Sequence, residues 1–168
     1  MKIGFLGSHG TGKTTMAYDL AAKLKKRGHD VIILSEVARS CPMPINQEVT
    51  REAQNWIIGK HMTREASMKG QIMICDRTLM DNFAYALYCD EEFFKPMTPW
   101  IKNYMQSYTT IFYLEPNDAY LIEDGTRDTD IGFRNKIDKI VNDLIDELQI
   151  KIVVTDDCLK HLVEKYDV

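Results

Sequence analysis

Gly7-Ser8-His9-Gly10-Thr11-Gly12-Lys13-Thr14 stands directly behind the apolar run Ile3 to Leu6 and ahead of a segment with helical spacing. The spelling is G-x-x-x-x-G-K-T, and the place between a strand and a helix makes it a phosphate-binding loop. Glycines at 7, 10 and 12 let the backbone curl so that successive N–H groups converge on phosphate oxygens. Lys13 brings an ammonium to the β- and γ-phosphates, and the Thr14 hydroxyl is suited to ligate Mg²⁺. The helix behind them turns its positive end to the same anion. Ser8, His9, Thr11 and Thr15 complete the stretch expected to enclose the nucleotide, with His9 facing solvent or standing beside substrate rather than catalysing. An ordinary glycine turn before a helix does not place Lys-Thr after a buried strand. The expectation is therefore a nucleoside triphosphate site, with ATP as donor and Mg²⁺ as cofactor.

At 168 residues the chain suits one domain spanning 1–168, with enough length to bury a core. Its 45% hydrophobic and 27% charged residues are ordinary for a soluble globular protein. A net charge of −4 gives no general attraction to nucleic acid or anionic membranes, which leaves a local basic cleft open. No apolar run approaches the ~20 residues of a membrane span. The chain opens on a strand rather than a signal peptide, so a cytoplasmic location without a membrane partner is expected. Cys41, Cys75, Cys89 and Cys158 are scattered, without C-x-x-C spacing or a paired histidine, which argues for reduced thiols and against zinc. Cys75, inside an apolar run, reads as core; His29, His61 and His161 read as surface residues.

Outward from the loop, strand and helix signals alternate. Lys13 to Arg27 carries Met16, Leu20 and Leu24 at helical spacing, and Gly28 stops it. Val31 to Leu34 reads as a buried parallel strand. Prolines 42 and 44 mark a loop, and Gln47 to Lys69 reads as a helix. Ile72 to Cys75 is a third strand, and Thr78 caps a helix running to Tyr88. Met97 to Tyr108 reads as helix and Thr109 to Leu114 as a strand of β-branched and aromatic residues. After a polar stretch, Ile137, Ile140, Val141, Leu144, Ile145 and Leu148 stripe a strong helix. Ile150 to Val154 and Asp156 to Tyr166 supply a last strand and a last helix. Five short strands alternating with helices predict an α/β, mostly parallel sheet covered on both faces.

In such sheets ligands sit at the carboxyl ends of the strands. The second strand ends in Ser35-Glu36-Val37-Ala38-Arg39, and the third in Asp76-Arg77, with Asp81 on the following helix. Arg127 and Arg134 follow the fourth strand. Parallel strands bring these groups together above the phosphate loop.

The motif with its neighbours resembles the P-loop kinases of the nucleoside and nucleotide kinase group. More narrowly, the chain is similar to the compact AAA-type ATPase/kinase family that includes nicotinamide riboside kinase domains. The likeness covers nearly the full chain: Gly7 to Thr15, Ser35-Glu36-x-Ala38-Arg39, Asp76-Arg77-x-x-x-Asp81 and Asp124-Gly125-x-Arg127. Of these only the first is specific alone; the others gain weight from order and spacing. The short chain and the acidic run Asp124 to Asp130 depart from thymidylate kinases. The resemblance implies a P-loop fold and a segment around 115–135 that acts as a lid, with Arg127 and Arg134 closing over the phosphates; the competing reading for Arg134 is an ion pair with Asp138 on its own helix.

Glu36 is the candidate base or anchor for the acceptor hydroxyl, a role that a carboxylate at the matching strand end performs in deoxynucleoside kinases. The competing reading is a solvated acid paired with Arg39. Asp76, behind a hydrophobic strand, is placed to hold Mg²⁺ through water or to share the base role. Arg77 offers a planar fork to substrate or phosphate oxygens. Substrate contacts are expected from Glu36, Arg39, Gln54, Arg77 and Asp81. Arg51, Gln54, Trp56, Phe83, Tyr85, Tyr88, Phe93, Phe94 and Trp100 could border the acceptor, with most of the aromatics left to the core. The expected activity is ATP-dependent phosphorylation of a nucleoside, nucleotide or similar small hydroxyl compound. A kinase acting on a hydroxyl within nucleic acid, as some compact viral P-loop kinases do, is one alternative, and a non-kinase NTPase or nucleotide-responsive switch another. A homodimer stays open.

Overall fold

The structure, a computed structural model, describes residues 1–120, 128–166 and 168. Its strands are β1 (Lys2–Leu6), β2 (Val31–Leu34), β3 (Ile72–Cys75) and β4 (Thr110–Tyr113). Among the described residues they form one four-stranded sheet in the order β2-β3-β1-β4, and every pairing is parallel. The helices are α1 (Lys13–Lys26), α2 (Arg51–Ser67), α3 (Leu79–Cys89), α4 (Glu91–Phe94), α5 (Thr98–Met105), α6 (Ile131–Leu148) and α7 (Cys158–Tyr166).

The period-two alternation of strand side chains divides the core in two. Ile3, Phe5, Ile72, Ile74 and Phe112 face α1 and α7, packing on Leu20, Leu24 and Leu162. Leu6, Leu34, Cys75, Ile111 and Tyr113 face the other way, against Phe83, Ile101, Ile137, Val141 and Leu144 of α3, α5 and α6. The second layer is tight: a Cβ on Gly4 would lie 2.5 Å from the Thr78 methyl and 2.9 Å from the Tyr108 ring. Among the described residues no helix is long and apolar enough to cross a membrane.

The predicted fifth strand, Ile150 to Val154, is a correction. It contributes a single parallel bridge, Val153 to Phe112, in which the Val153 N–H donates to Ile111 O and the Tyr113 N–H to Val153 O. The cause is local. Gln149, at φ 55°, closes α6, and the Ile150 N–H is taken by Ile145 O. At the far side the Asp157 N–H turns onto the Thr155 hydroxyl. Too little extended chain is left between those two events for a ladder.

Other boundaries shift for similar reasons. The helix expected from Gln47 starts at Arg51, because Asn46 stands at φ 63° and begins a short 3₁₀ turn, after which Thr50 accepts the Ala53 N–H as an N-cap. Thr78 caps α3 as expected, in a full capping box with Asp81. His61 is a further correction: it is buried, with Nδ1 3.1 Å from Asn82 Nδ2 and Nε2 3.5 Å from the Tyr108 hydroxyl.

Candidate active site

Strand order decides which side chains meet. β1 and β3 are neighbours, so the loop leaving β1 and the Asp76-Arg77 turn leaving β3 open onto the same edge. β2 flanks β3, which brings Glu36 beside Arg77. The cleft between them holds an empty volume of about 1080 Å³ and opens to solvent.

The loop has the conformation its glycines allow. Gly7, Gly10 and Gly12 stand at φ 147°, 67° and 86°, in the region that favours glycine. A Cβ on Gly7 would run into the Leu114 carbonyl oxygen, and one on Gly12 would come within 3.2 Å of the Tyr120 ring. The Lys13 ammonium folds back onto the loop, donating to Ser8 O and, at 3.1 Å, to the Thr11 hydroxyl. Burial, then the Arg77 charge, lowers its pKa to about 8. The Thr14 hydroxyl donates to Asp76 at 2.9 and 3.1 Å. Burial raises the Asp76 carboxyl above its ordinary value.

Across the cleft, Glu36 accepts from Arg77 Nε at 2.7 Å and from Arg39 Nε at 2.9 Å. Burial alone would raise the Glu36 carboxyl, but Arg77 and then Arg39 hold it at about 2. The Arg39 pairing expected from sequence thus exists, together with a stronger partner, and Glu36 still lines the cleft. Gln54 is buried with its Oε1 lacking a hydrogen-bond partner among the described residues. It borders the cleft with Ile45, Asn46, Ile57, Asn82 and Tyr85. Of the nine polar and aromatic candidates for this wall, Gln54 and Tyr85 reach it. Phe83 and Phe94 are core, Phe93 and Trp100 are exposed, and Arg51 pairs with Asp90.

His9 does not face solvent: it is buried in the loop, and burial, Arg77 and Lys13 lower its pKa to about 4, which leaves it neutral. Asp81 does not border the cleft. Its Oδ2 accepts the Thr78 N–H and hydroxyl, both at 2.7 Å, and its Oδ1 accepts the Gly7 N–H at 3.0 Å. It supports the loop from beneath. Arg134 is also buried, and its Nη1 lies 2.8 Å from Asp118 Oδ1 without hydrogen-bond alignment, rather than pairing with Asp138 on its own helix. Arg127, with Asp124 and Gly125, lies outside the described residues. Asp128 borders the cleft and accepts from Gln47 at 2.9 Å, and Asp130 caps α6.

Sequence reading gave no site role to Asn82 or Tyr120 and took Asp138 only as a partner for Arg134. Asp138 accepts from the Ser8 and Tyr113 hydroxyls, each at 3.3 Å, and so steadies the loop from α6. Its signal was a carboxylate on the apolar side of a striped helix. Asn82 and Tyr120 have no sequence signal apart from polarity next to apolar neighbours.

The family model of the AAA domain matches residues 2–158. The chain belongs to that family. No curated protein matches it in sequence. Among solved structures it is similar to the NadR protein in complex with NR, at TM-score 0.73 and 20% identity. That likeness covers 99% of this chain and 52% of NadR, so the chain spans about half of that protein. It is also similar to deoxyadenosine kinase from M. mycoides with dCMP and dCDP bound, at TM-score 0.65 and 18% identity over 98% of this chain and 95% of that one. Thymidylate kinase from Ehrlichia chaffeensis matches at TM-score 0.65 and 18% identity, over 98% and 97%. The fold of this AAA-domain chain is thus the P-loop fold of nucleoside and nucleotide kinases.

Proposed function

We propose that the protein is an ATP-dependent kinase that transfers the γ-phosphate to a hydroxyl of a nucleoside, nucleotide or similar small molecule. The observation that carries this reading is one cleft bordered by both halves of the chemistry. Lys13, Thr14 and Asp76 form a triphosphate half, and the Glu36–Arg77 pair stands opposite as an acceptor half. Two of the structural relatives named above are a deoxyadenosine kinase and a thymidylate kinase, which supports the same reading.

Backbone N–H groups of residues 8–14 and the Lys13 ammonium would hold the β- and γ-phosphates. Mg²⁺ fits the Thr14–Asp76 pair, since a hydroxyl and a carboxylate oxygen already in contact are hard donors of the kind it prefers. Bound there, the ion would neutralise charge on the phosphates. Glu36 is ionised at neutral pH, so it accepts a hydrogen bond from the acceptor hydroxyl and aims its oxygen in line. A carboxylate held at about 2 is a weak base, which suits a loose phosphoryl transition state in which the hydroxyl proton leaves late. The unpartnered Gln54 Oε1 is placed to accept from a planar amide or amine of the acceptor. Arg134, buried and poorly aligned with Asp118, would turn to the phosphates as segment 115–135 closes.

An acceptor within nucleic acid is less well supported. Among the described residues, those with charge that border the cleft are Lys13, Arg39 and Arg77 against Glu36, Asp76 and Asp128, and they provide no basic track for a phosphodiester backbone. Comparing Lys13→Ala with Glu36→Gln tests the division of labour. Lys13→Ala should lower ATP affinity and turnover together. Glu36→Gln should leave ATP affinity near that of the parent and slow transfer by about a hundredfold. Normal transfer in Glu36→Gln would remove the acceptor role from this carboxylate.

A further inference from the structure

Tyr85, on α3, touches both halves of the cleft. Its hydroxyl oxygen lies 2.9 Å from Nδ1 of His9, inside the phosphate loop. The Arg77 guanidinium stands over the same ring, 5.3 Å from its centroid. Arg77 Nε in turn donates to Glu36 at 2.7 Å. The His9 ring is wedged between Tyr85 and Phe133, with centroids 6.3 and 5.2 Å away, and Phe133 meets the Tyr85 ring edge-on at 6.0 Å. His9, Tyr85 and Phe133 are all buried. His9 follows β1, Arg77 follows β3 and Phe133 belongs to α6, so three separate parts of the fold meet this one phenol of α3, and Glu36, after β2, is reached through Arg77.

We propose that Tyr85 is a positioning residue that couples the phosphate loop to the acceptor carboxylate, through its hydroxyl on His9 and its ring face on Arg77–Glu36. The proposal rests on the reading of the cleft as donor and acceptor halves. A phenol suits the task because it is rigid between its two contacts: the hydroxyl follows the loop and the π-face follows the guanidinium. When phosphates draw the loop inward, His9 moves with it, and a packed interior passes the displacement on instead of absorbing it. Arg77 and Glu36 then settle into the geometry that aims the acceptor only when a triphosphate is in place. Binding in one half thereby changes order in the other, which is coupling between two sites by differential contacts.

Hydrogen exchange with a non-hydrolysable ATP analogue as the sole ligand tests this without knowledge of the acceptor. In the parent protein the analogue should slow exchange across 7–14 and also across 35–41, the latter by about fivefold, the low end of ordinary site-to-site coupling. Tyr85→Phe keeps the ring under Arg77 and removes the hydroxyl from His9. It should retain protection of 7–14 and lose that of 35–41. His9→Phe keeps a ring against Phe133 and should do the same from the loop side. A purely structural tyrosine would change exchange equally with and without the analogue. Equal analogue-dependent protection of 35–41 in parent and variants would overturn the proposal, as would its absence in the parent. If the analogue fails to protect even 7–14 in the parent, the nucleotide site itself is wrongly assigned and the coupling falls with it.

Discussion

Two buried histidines and one paired carboxylate contribute acid sensitivity to this protein. His9 and His61 are each lowered from 6.5 to about 4, chiefly by burial. Between those values the unfolded chain binds more protons than the folded one, so stability rises with pH through the window and falls as pH drops from 6.5 toward 4. Glu36, depressed from 4.5 to about 2, extends the loss below that range. Thermal midpoints measured from pH 7.5 to 4 should decline steeply below 6.5, and His61→Asn should flatten part of that decline. An equally steep decline in His61→Asn would show that this imidazole is not buried as described. At this scale the sequence is eloquent about the loop, because Gly7 to Thr14 carries its chemistry in order and spacing. It is silent about His61, since a lone histidine on a helix looks alike whether it meets water or Asn82.

The helix that follows β3 shows how an element can change the meaning of a residue. Asp81 stands four positions beyond Arg77, where a substrate ligand would be sought, yet its carboxylate closes the α3 capping box and holds the Gly7 N–H. Asp81→Asn keeps the shape but turns an N–H₂ group toward backbone donors. The expected cost is about 1–3 kcal/mol of unfolding free energy, with weaker ATP binding as the loop loses its support. An acceptor KM that alone changes, at unaltered stability, would return Asp81 to the substrate. The Thr78 cap and the helix periods were readable because capping and amphipathicity are local. The loss of the fifth strand was not, because an apolar run such as Ile150 to Val154 does not reveal that its first N–H is claimed by a preceding helix. Nor did periodicity separate Tyr85, which reaches the cleft, from Phe83, two residues away and wholly in the core.

For the whole molecule, parallel strand order is what turns scattered motifs into a site. Placing β1 between β3 and β4 sets Thr14 against Asp76, and placing β3 beside β2 sets Arg77 against Glu36. The close fit of the sheet under α3 follows from the same order. Gly4→Ala would press a methyl onto Thr78 and the Tyr108 ring, and should lower the thermal midpoint through a strain of about 1–3 kcal/mol. A midpoint matching the parent would mean that the layer has room the structure does not show. The parallel α/β architecture was legible from alternation and the phosphate loop from its motif, but which strands are neighbours was not, and the cleft wall depends on that. Phosphoryl transfer from ATP at this cleft, as proposed, is read by following γ-³²P. The parent and Lys13→Ala would be presented with nucleosides, nucleoside monophosphates, nicotinamide riboside and oligonucleotides in the presence of Mg²⁺. Label should appear on a small nucleoside-like acceptor with the parent and be lost with Lys13→Ala. Label released only as inorganic phosphate, or transferred equally well by Lys13→Ala, would contradict it.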